Sequence, residues 1–178
     1  MGDWNIDLSG KVALVTGGSR GLGKAIALAM AEKGAKIAIC GRKQENLDKA
    51  VAEIKAKGTE VLAQPANMGK SDQAASLFQA IEGKFGKLDI LVNNVGTNLL
   101  TPSVAEADEG LWDKLIETNL KSAFLASSMA YKIMKKTGAG KIINISSIAA
   151  RKAARGMGIY CVAKAGLEML TKVLAAKR

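Results

Sequence analysis

The chain has 178 residues and not one histidine. That removes the commonest metal ligand and the commonest acid/base side chain, so proton chemistry has to rest elsewhere. Cysteine is nearly absent too. Only Cys40 and Cys161 occur, and neither has metal-ligand spacing. Aromatic residues make up 4%, too few for a base-stacking platform. No apolar run is long enough to span a membrane. The start, Met1-Gly2-Asp3-Trp4-Asn5-Ile6-Asp7, lacks the basic and apolar regions of a secretory signal. Acidic residues are outnumbered, 16 Asp and Glu against 26 Lys and Arg, giving a net charge of +10. The cations are spread over helix faces rather than clustered. They suit a solvated surface or an anionic cofactor or partner better than nucleic acid. These absences predict a reduced, cytoplasmic protein with metal-free chemistry and no membrane partner.

Glycine is plentiful, and one stretch uses it pointedly. Val12-Ala13-Leu14-Val15 is an apolar run, and Thr16-Gly17-Gly18-Ser19-Arg20-Gly21-Leu22-Gly23 follows it directly. Beyond lies a helical pattern with Leu22, Ile26 and Met30 at four-residue spacing. Strand, glycine turn and helix make the layout of a dinucleotide-binding unit. Glycine permits positive φ and close backbone approach, and the first N–H groups of a helix attract a pyrophosphate. The spacing is Gly17-x-x-x-Gly21-x-Gly23 rather than G-x-G-x-x-G. A plain glycine turn would read the same way on its own.

The pattern then alternates. Strands are expected at residues 35–40, 61–63, 88–93 and 141–146. Between them lie helices carrying Leu47, Val51 and Ile54, then Ala74, Phe78, Ile81 and Phe85. A long helix is expected over 109–136, with a break near its start and an apolar face of Leu115, Leu120, Phe124 and Met134. A last helix is expected over 158–176. Strands this apolar are covered on both faces, which implies a parallel sheet with helices on each side. Ligands in such folds bind beyond the carboxyl ends of the strands. Those ends carry Gly17 to Gly23, Gly41-Arg42, Asn67, Asn93-Asn94 and Ser146-Ser147. One domain over 1–178 is expected.

Tyr160-Cys161-Val162-Ala163-Lys164 puts a phenol and an ammonium on one helix face, a turn apart. A neighbouring ammonium favours the phenolate and makes tyrosine a usable acid/base. Surface Tyr and Lys at this spacing are common, so the pair alone decides nothing. Ser147 precedes Tyr160 by thirteen positions and could hold a substrate oxygen, or simply belong to a turn. Asn119, a mediocre helix former inside the long helix, could equally face solvent.

Taken in order, Thr16-Gly17-x-x-x-Gly21-x-Gly23, Asn93-Asn94-Val95-Gly96, Asn119, Ser147 and Tyr160-x-x-x-Lys164 resemble the short-chain dehydrogenase/reductase family. Each motif is weak; together they cover nearly the whole chain. The resemblance implies a Rossmann-like doubly wound α/β sheet with strand order 3-2-1-4-5. It also implies an oxidoreductase, a carbonyl reductase or alcohol dehydrogenase acting on a small carbonyl or alcohol. In it Tyr160 exchanges a proton with the substrate oxygen, and Lys164 favours the phenolate and holds the nicotinamide ribose. Ser147 orients the carbonyl, and Asn119 completes a water relay. Asn93 stabilises the sheet. The cofactor is expected to touch Gly17, Ser19, Arg20, Gly21, Leu22, Gly23, Arg42, Asn67, Asn94, Gly96, Tyr160 and Lys164.

Three further expectations follow. An acidic residue after the second strand selects NAD, whereas arginine accommodates the NADP phosphate. Gly41-Arg42 has no carboxylate until Glu45, and Arg20 adds a second cation, so NADP(H) is expected over NAD(H). The family pairs its last two long helices in a homodimer. Ala123, Ala126, Ala163, Ala165 and Gly166 are expected to permit that approach. The family also usually continues for two strands and a substrate loop, which have no counterpart before Arg178. On that basis residues 1–178 are expected to expose 141–146 as a sheet edge, to lose the tetramer, and to bind NADP(H) weakly with little turnover. The competing expectation is a truncated, non-catalytic member that binds nucleotide or a protein partner.

Overall fold

The sheet is built around strand β1 (Val12–Val15), which is buried along its whole length. The computed structural model describes residues 6–100 and 103–176. Residues 1–5, read above for a secretory signal, lie outside that range, as do residues 177–178. The other strands are β2 (Lys36–Gly41), β3 (Val61–Pro65), β4 (Ile90–Asn93) and β5 (Lys141–Asn144). All pairings are parallel, in the order β3-β2-β1-β4-β5. Val15 stands beside Ile39 on one side and Val92 on the other, and Asn93 beside Asn144. This is the doubly wound Rossmann-like sheet that the sequence implies, and every strand ends at the same edge.

Successive strand residues point to opposite faces. Val12 and Leu14 join one core cluster with Leu77 and Ile81 of α3 (Ser71–Phe85). Ala13 and Val15 join the other with Ala27 and Ala31 of α1 (Gly21–Glu32) and Leu47 and Ile54 of α2 (Gln44–Lys55). Leu14, Ile37, Ile39 and Leu91 are wholly buried. Each stabilises the fold by about 1.5–3 kcal/mol relative to exposure. β5 pairs with β4 alone among the described residues, and its Ile143 is 44% exposed.

Several local expectations need correction. The helical repeat of Leu22, Ile26 and Met30 lies beside the buried stripe of α1, which is Gly23, Ala27 and Ala31; Ile26 and Met30 pack partly on the core, and Leu22 is exposed. Small side chains let this helix lie close on the strands. The region 109–136 is not one regular helix. It runs as α4 (Glu109–Ile116), a π-helical segment (Glu117–Lys121) and α5 (Ser122–Thr137). The break is in the middle, not near the start. Beyond it the inward face of α5 is Ala123, Ala126, Ala130, Ile133 and Met134, while Phe124 is exposed. Ala123, Ala126 and Ala163 are buried within the chain, so they are not free to line a contact with a second copy. β5 stops at Asn144, two residues before the expected end, and a short 3₁₀ turn (Ile148–Ala150) leads to α6 (Gly158–Ala175).

Candidate active site

The glycine loop lies where the strand order reverses, between β1 and its neighbours β2 and β4. Gly17 and Gly21 take φ of +66° and +55°, which side chains other than glycine adopt only with strain. At Gly23 a Cβ would stand 2.4 Å from the Gly17 carbonyl oxygen and 2.5 Å from Asn94 Nδ2. Only glycine lets α1 start so close to the loop. The start of α1 has no side-chain cap and no acidic residue in its first turn. By contrast, α4 is capped by Asp108, whose carboxylate accepts from Leu111 N at 2.8 Å. The open end of α1 therefore offers unpaired N–H groups and the positive end of a dipole, which fit a phosphate group.

The loop is locked to β4 by Thr16 and Asn94. The Thr16 hydroxyl donates to the Val92 carbonyl and accepts from Asn94 N at 3.0 Å. Asn94 Nδ2 donates to the Thr16 carbonyl at 3.0 Å. Asn93 faces the other way and is buried. Its Nδ2 donates to Asn144 Oδ1 at 2.8 Å and Ser127 Oγ at 3.0 Å, joining β4 to β5 and α5.

Ser19 rests on the end of β2: a Cβ on Gly41 would lie 2.7 Å from its Oγ. That contact brings the Arg20 loop beside Gly41-Arg42. Both arginines are exposed and make no ion pair among the described residues. The nearest acidic side chain in sequence, Glu45, pairs with Lys49 at 2.8 Å. Asn67 closes its own turn, accepting from Gly69 N at 3.0 Å.

On the other side of β4 the remaining candidates converge. Lys164 of α6 is buried, and its Nζ donates to the Ile145 carbonyl at 2.8 Å. Burial lowers its pKa from the ordinary lysine value. A buried charged lysine costs stability at low pH, and the cost fades as pH rises toward that ordinary value. Nζ lies 5.7 Å from the centre of the Tyr160 ring. Asn119 does not face solvent. It is buried, donates to the Leu115 and Thr97 carbonyls at 2.9 and 2.8 Å, and accepts from Thr97 N at 3.0 Å. Gly96 sits over both groups: a Cβ there would be 3.1 Å from Asn119 Oδ1 and 3.5 Å from Lys164 Nζ. Ser147 and Tyr160 line one cleft of about 360 Å³. Ser147 Oγ accepts from Ala149 N at 3.2 Å and keeps its own proton to donate.

Sequence reasoning missed Glu117. It lies in the π segment and pairs with Lys70 at 3.1 Å, pressed against Gly69. The loop after β3 is thus tied to the turn that carries Asn119. No motif signals this; the partners are 47 residues apart. Cys161 is half-buried beside Tyr160, while Cys40 is wholly buried, which pushes its thiol up to about 11 and keeps it protonated at neutral pH. Among the described residues no cluster of acidic and cysteine side chains could hold a metal, and no helix is long and apolar enough to cross a membrane.

This geometry has close counterparts in known proteins. The short chain dehydrogenase family model matches residues 11–177. The chain belongs to that family. A tropinone reductase homolog of Arabidopsis thaliana is 41% identical over 171 residues, covering 96% of this chain and 64% of the relative. A short-chain type dehydrogenase/reductase of Picea abies is 40% identical, covering 94% and 65%. The chain thus spans somewhat less than two thirds of these relatives. Among solved structures, a putative short-chain alcohol dehydrogenase from Sinorhizobium meliloti superposes with a TM-score of 0.91 at 40% identity, covering 95% of this chain and 67% of that one. An NAD+-bound xylitol dehydrogenase gives 0.92 at 29% identity, covering 96% and 65%. The short-chain dehydrogenase fold therefore accounts for the whole described sheet.

Proposed function

We propose that this short-chain dehydrogenase is an NADP(H)-dependent oxidoreductase that interconverts a carbonyl and a secondary alcohol. The observation that carries the reading is the convergence of Tyr160 and Ser147 on one cleft, with Lys164 and Asn119 buried behind it. A solved relative holds NAD+, and the open start of α1 with Gly17 and Gly21 fits such a pyrophosphate. When bound, the nicotinamide supplies or accepts the hydride. The chain does the rest. Ser147 Oγ donates to the substrate oxygen and orients it. Tyr160 gives that oxygen its proton in reduction and takes it back in oxidation. Lys164, held by the Ile145 carbonyl, keeps a positive charge behind the phenol and offers hydrogen bonds to the ribose. Asn119 holds the Thr97 backbone and borders the path by which the proton is replaced. The two unpaired thiols suit a reduced cytoplasm. The test is NADPH oxidation with a panel of small carbonyls by a catalytically complete form of the protein, and absence of turnover across the panel would count against the reading.

NADP(H) preference rests on Arg20 and Arg42 at the adenosine end, with no carboxylate after the second strand before Glu45. Arg42→Ala is expected to raise KM for NADPH about tenfold and leave KM for NADH nearly unchanged. Equal cofactor affinities before and after the change would overturn the preference.

The outer faces of α5 and α6 are the proposed homodimer surface. Phe124 and Tyr131 on α5, and Val162, Met169 and Val173 on α6, are large, apolar or aromatic, and exposed. Ala165 is exposed beside them, whereas Gly166 packs inward on Leu120. Phe124→Glu is expected to turn a dimer into a monomer in light scattering, because a carboxylate in a buried contact is left unpaired. A wild-type monomer at high concentration would refute the dimer.

A further inference from the structure

The wall of the Tyr160 cleft says something about what enters it. The residues around it include Asn98, Ser147, Ile148, Lys152, Met157 and Tyr160, and among the described residues no acidic side chain. Its volume, about 360 Å³, is on the scale of a small-molecule site. The segment after Ser147 carries three cations, Arg151, Lys152 and Arg155. They are not equivalent. Arg151 Nε donates to Glu168 at 3.0 Å, and Ser146 Oγ donates to the same carboxylate at 3.3 Å. That pairing holds Arg151 to α6 and lowers the pKa of Glu168. Lys152 makes no ion pair among the described residues and is the only cation on the cleft wall. Arg155, exposed nearby in sequence, adds to the field at the rim.

A cleft with apolar walls, a Tyr and Ser pair and one unpaired ammonium has a definite complement. We infer that Lys152 is a specificity-determining residue and that the substrate is a small oxo acid or hydroxy acid, its carboxylate held by Lys152 while its oxygen meets Tyr160 and Ser147. This rests on the oxidoreductase reading above. A carboxylate also reads the chain's net charge of +10, which draws small anions toward the site. Lys152 is exposed at the rim of the cleft, so its hold on a carboxylate is expected to be modest and sensitive to salt.

Levulinate and methyl levulinate form a suitable pair. They share a ketone insulated from the acid end and differ only in charge there. The acid is expected to be favoured about tenfold in kcat/KM, carried mainly by KM, since the carboxylate is bound equally in ground and transition states. Lys152→Gln is expected to bring the ratio to near unity, and Lys152→Glu to invert it. Raising the salt concentration is expected to shrink the wild-type ratio. Calorimetric binding of both compounds to the NADPH-loaded Tyr160→Phe chain separates this inference from the redox reading. A Lys152-dependent preference for the acid in binding supports the inference even if neither compound is turned over, which would count against the redox reading alone. Equal binding of acid and ester, or a preference that survives Lys152→Gln, overturns the inference.

Discussion

In a catalytically complete form of the protein, Tyr160→Phe is expected to lower kcat by about a thousandfold, within the range found when a positioned general acid is removed. Only the hydroxyl is lost, and the ring keeps its place 5.7 Å from Lys164 Nζ. Dissociation constants for NADPH, read by fluorescence, should therefore change less than about threefold, because no cofactor charge loses its partner. Lys164→Ala should differ in kind. It removes a buried ammonium and strands the Ile145 carbonyl that this group satisfies at 2.8 Å, so cofactor binding and rate fall together. A Tyr160→Phe enzyme that kept a tenth of its rate would place the acid elsewhere. Among the described residues the other titratable side chain on the cleft wall is Lys152, which is exposed, and the chain has no histidine.

The second large effect is structural. Gly23→Ala is expected to destabilise the fold by about 1–3 kcal/mol and to abolish measurable NADPH binding. The new methyl would sit 2.4 Å from a backbone oxygen of Gly17, and a backbone atom cannot rotate away as a side-chain tip can. The start of α1 must therefore lift from the loop, moving the N–H groups that face the phosphate. Thermal unfolding should drop by about 2–4 °C for each kcal/mol lost. Gly83→Ala makes the matched control. It lies in the last turn of α3 with nothing within 4 Å of the added carbon. That change is expected to stabilise by about 0.5–1 kcal/mol, because glycine is a poor helix former. A Gly23→Ala chain as stable as wild type with unaltered NADPH affinity would show that the close approach is dispensable.

The strands were legible because each is a short β-branched apolar run, and their order because five motifs matched one family. The polar strand ends were legible for the same reason: Gly17, Asn93, Asn94 and Ser147 stand where apolar runs give way to glycine and polar residues. Helix faces were less so. Leu22, Ile26 and Met30 are the most apolar row on α1, yet the buried row is Gly23, Ala27 and Ala31. Close packing selects for small size, which hydrophobicity does not report. Phe124 is apolar and was expected on the inward face, yet the small side chains of Ala123, Ala126 and Ala130 take that face and Phe124 is exposed. Asn119 gave no local sign of burial, since its partners are backbone carbonyls and amides rather than recognisable side chains. The tie from Lys70 to Glu117 joins segments distant in sequence and leaves no periodic trace.

The wide turn at Glu117–Lys121 sets the phase between two halves of one helical run. Each residue in a helix advances the side chains by about 100°. Upstream, Leu115 must point inward; downstream, Ala126 and Ile133 must do so as well. The segment holds one residue more than an α-helix of the same span, and it carries Glu117 and Asn119, which reach Lys70 and Thr97. Deleting one residue there would restore a plain α-helix with both flanks still inward, so the core survives. The loss would fall on the ties from Glu117 and Asn119, and a single-codon deletion should cost the site far more than the fold.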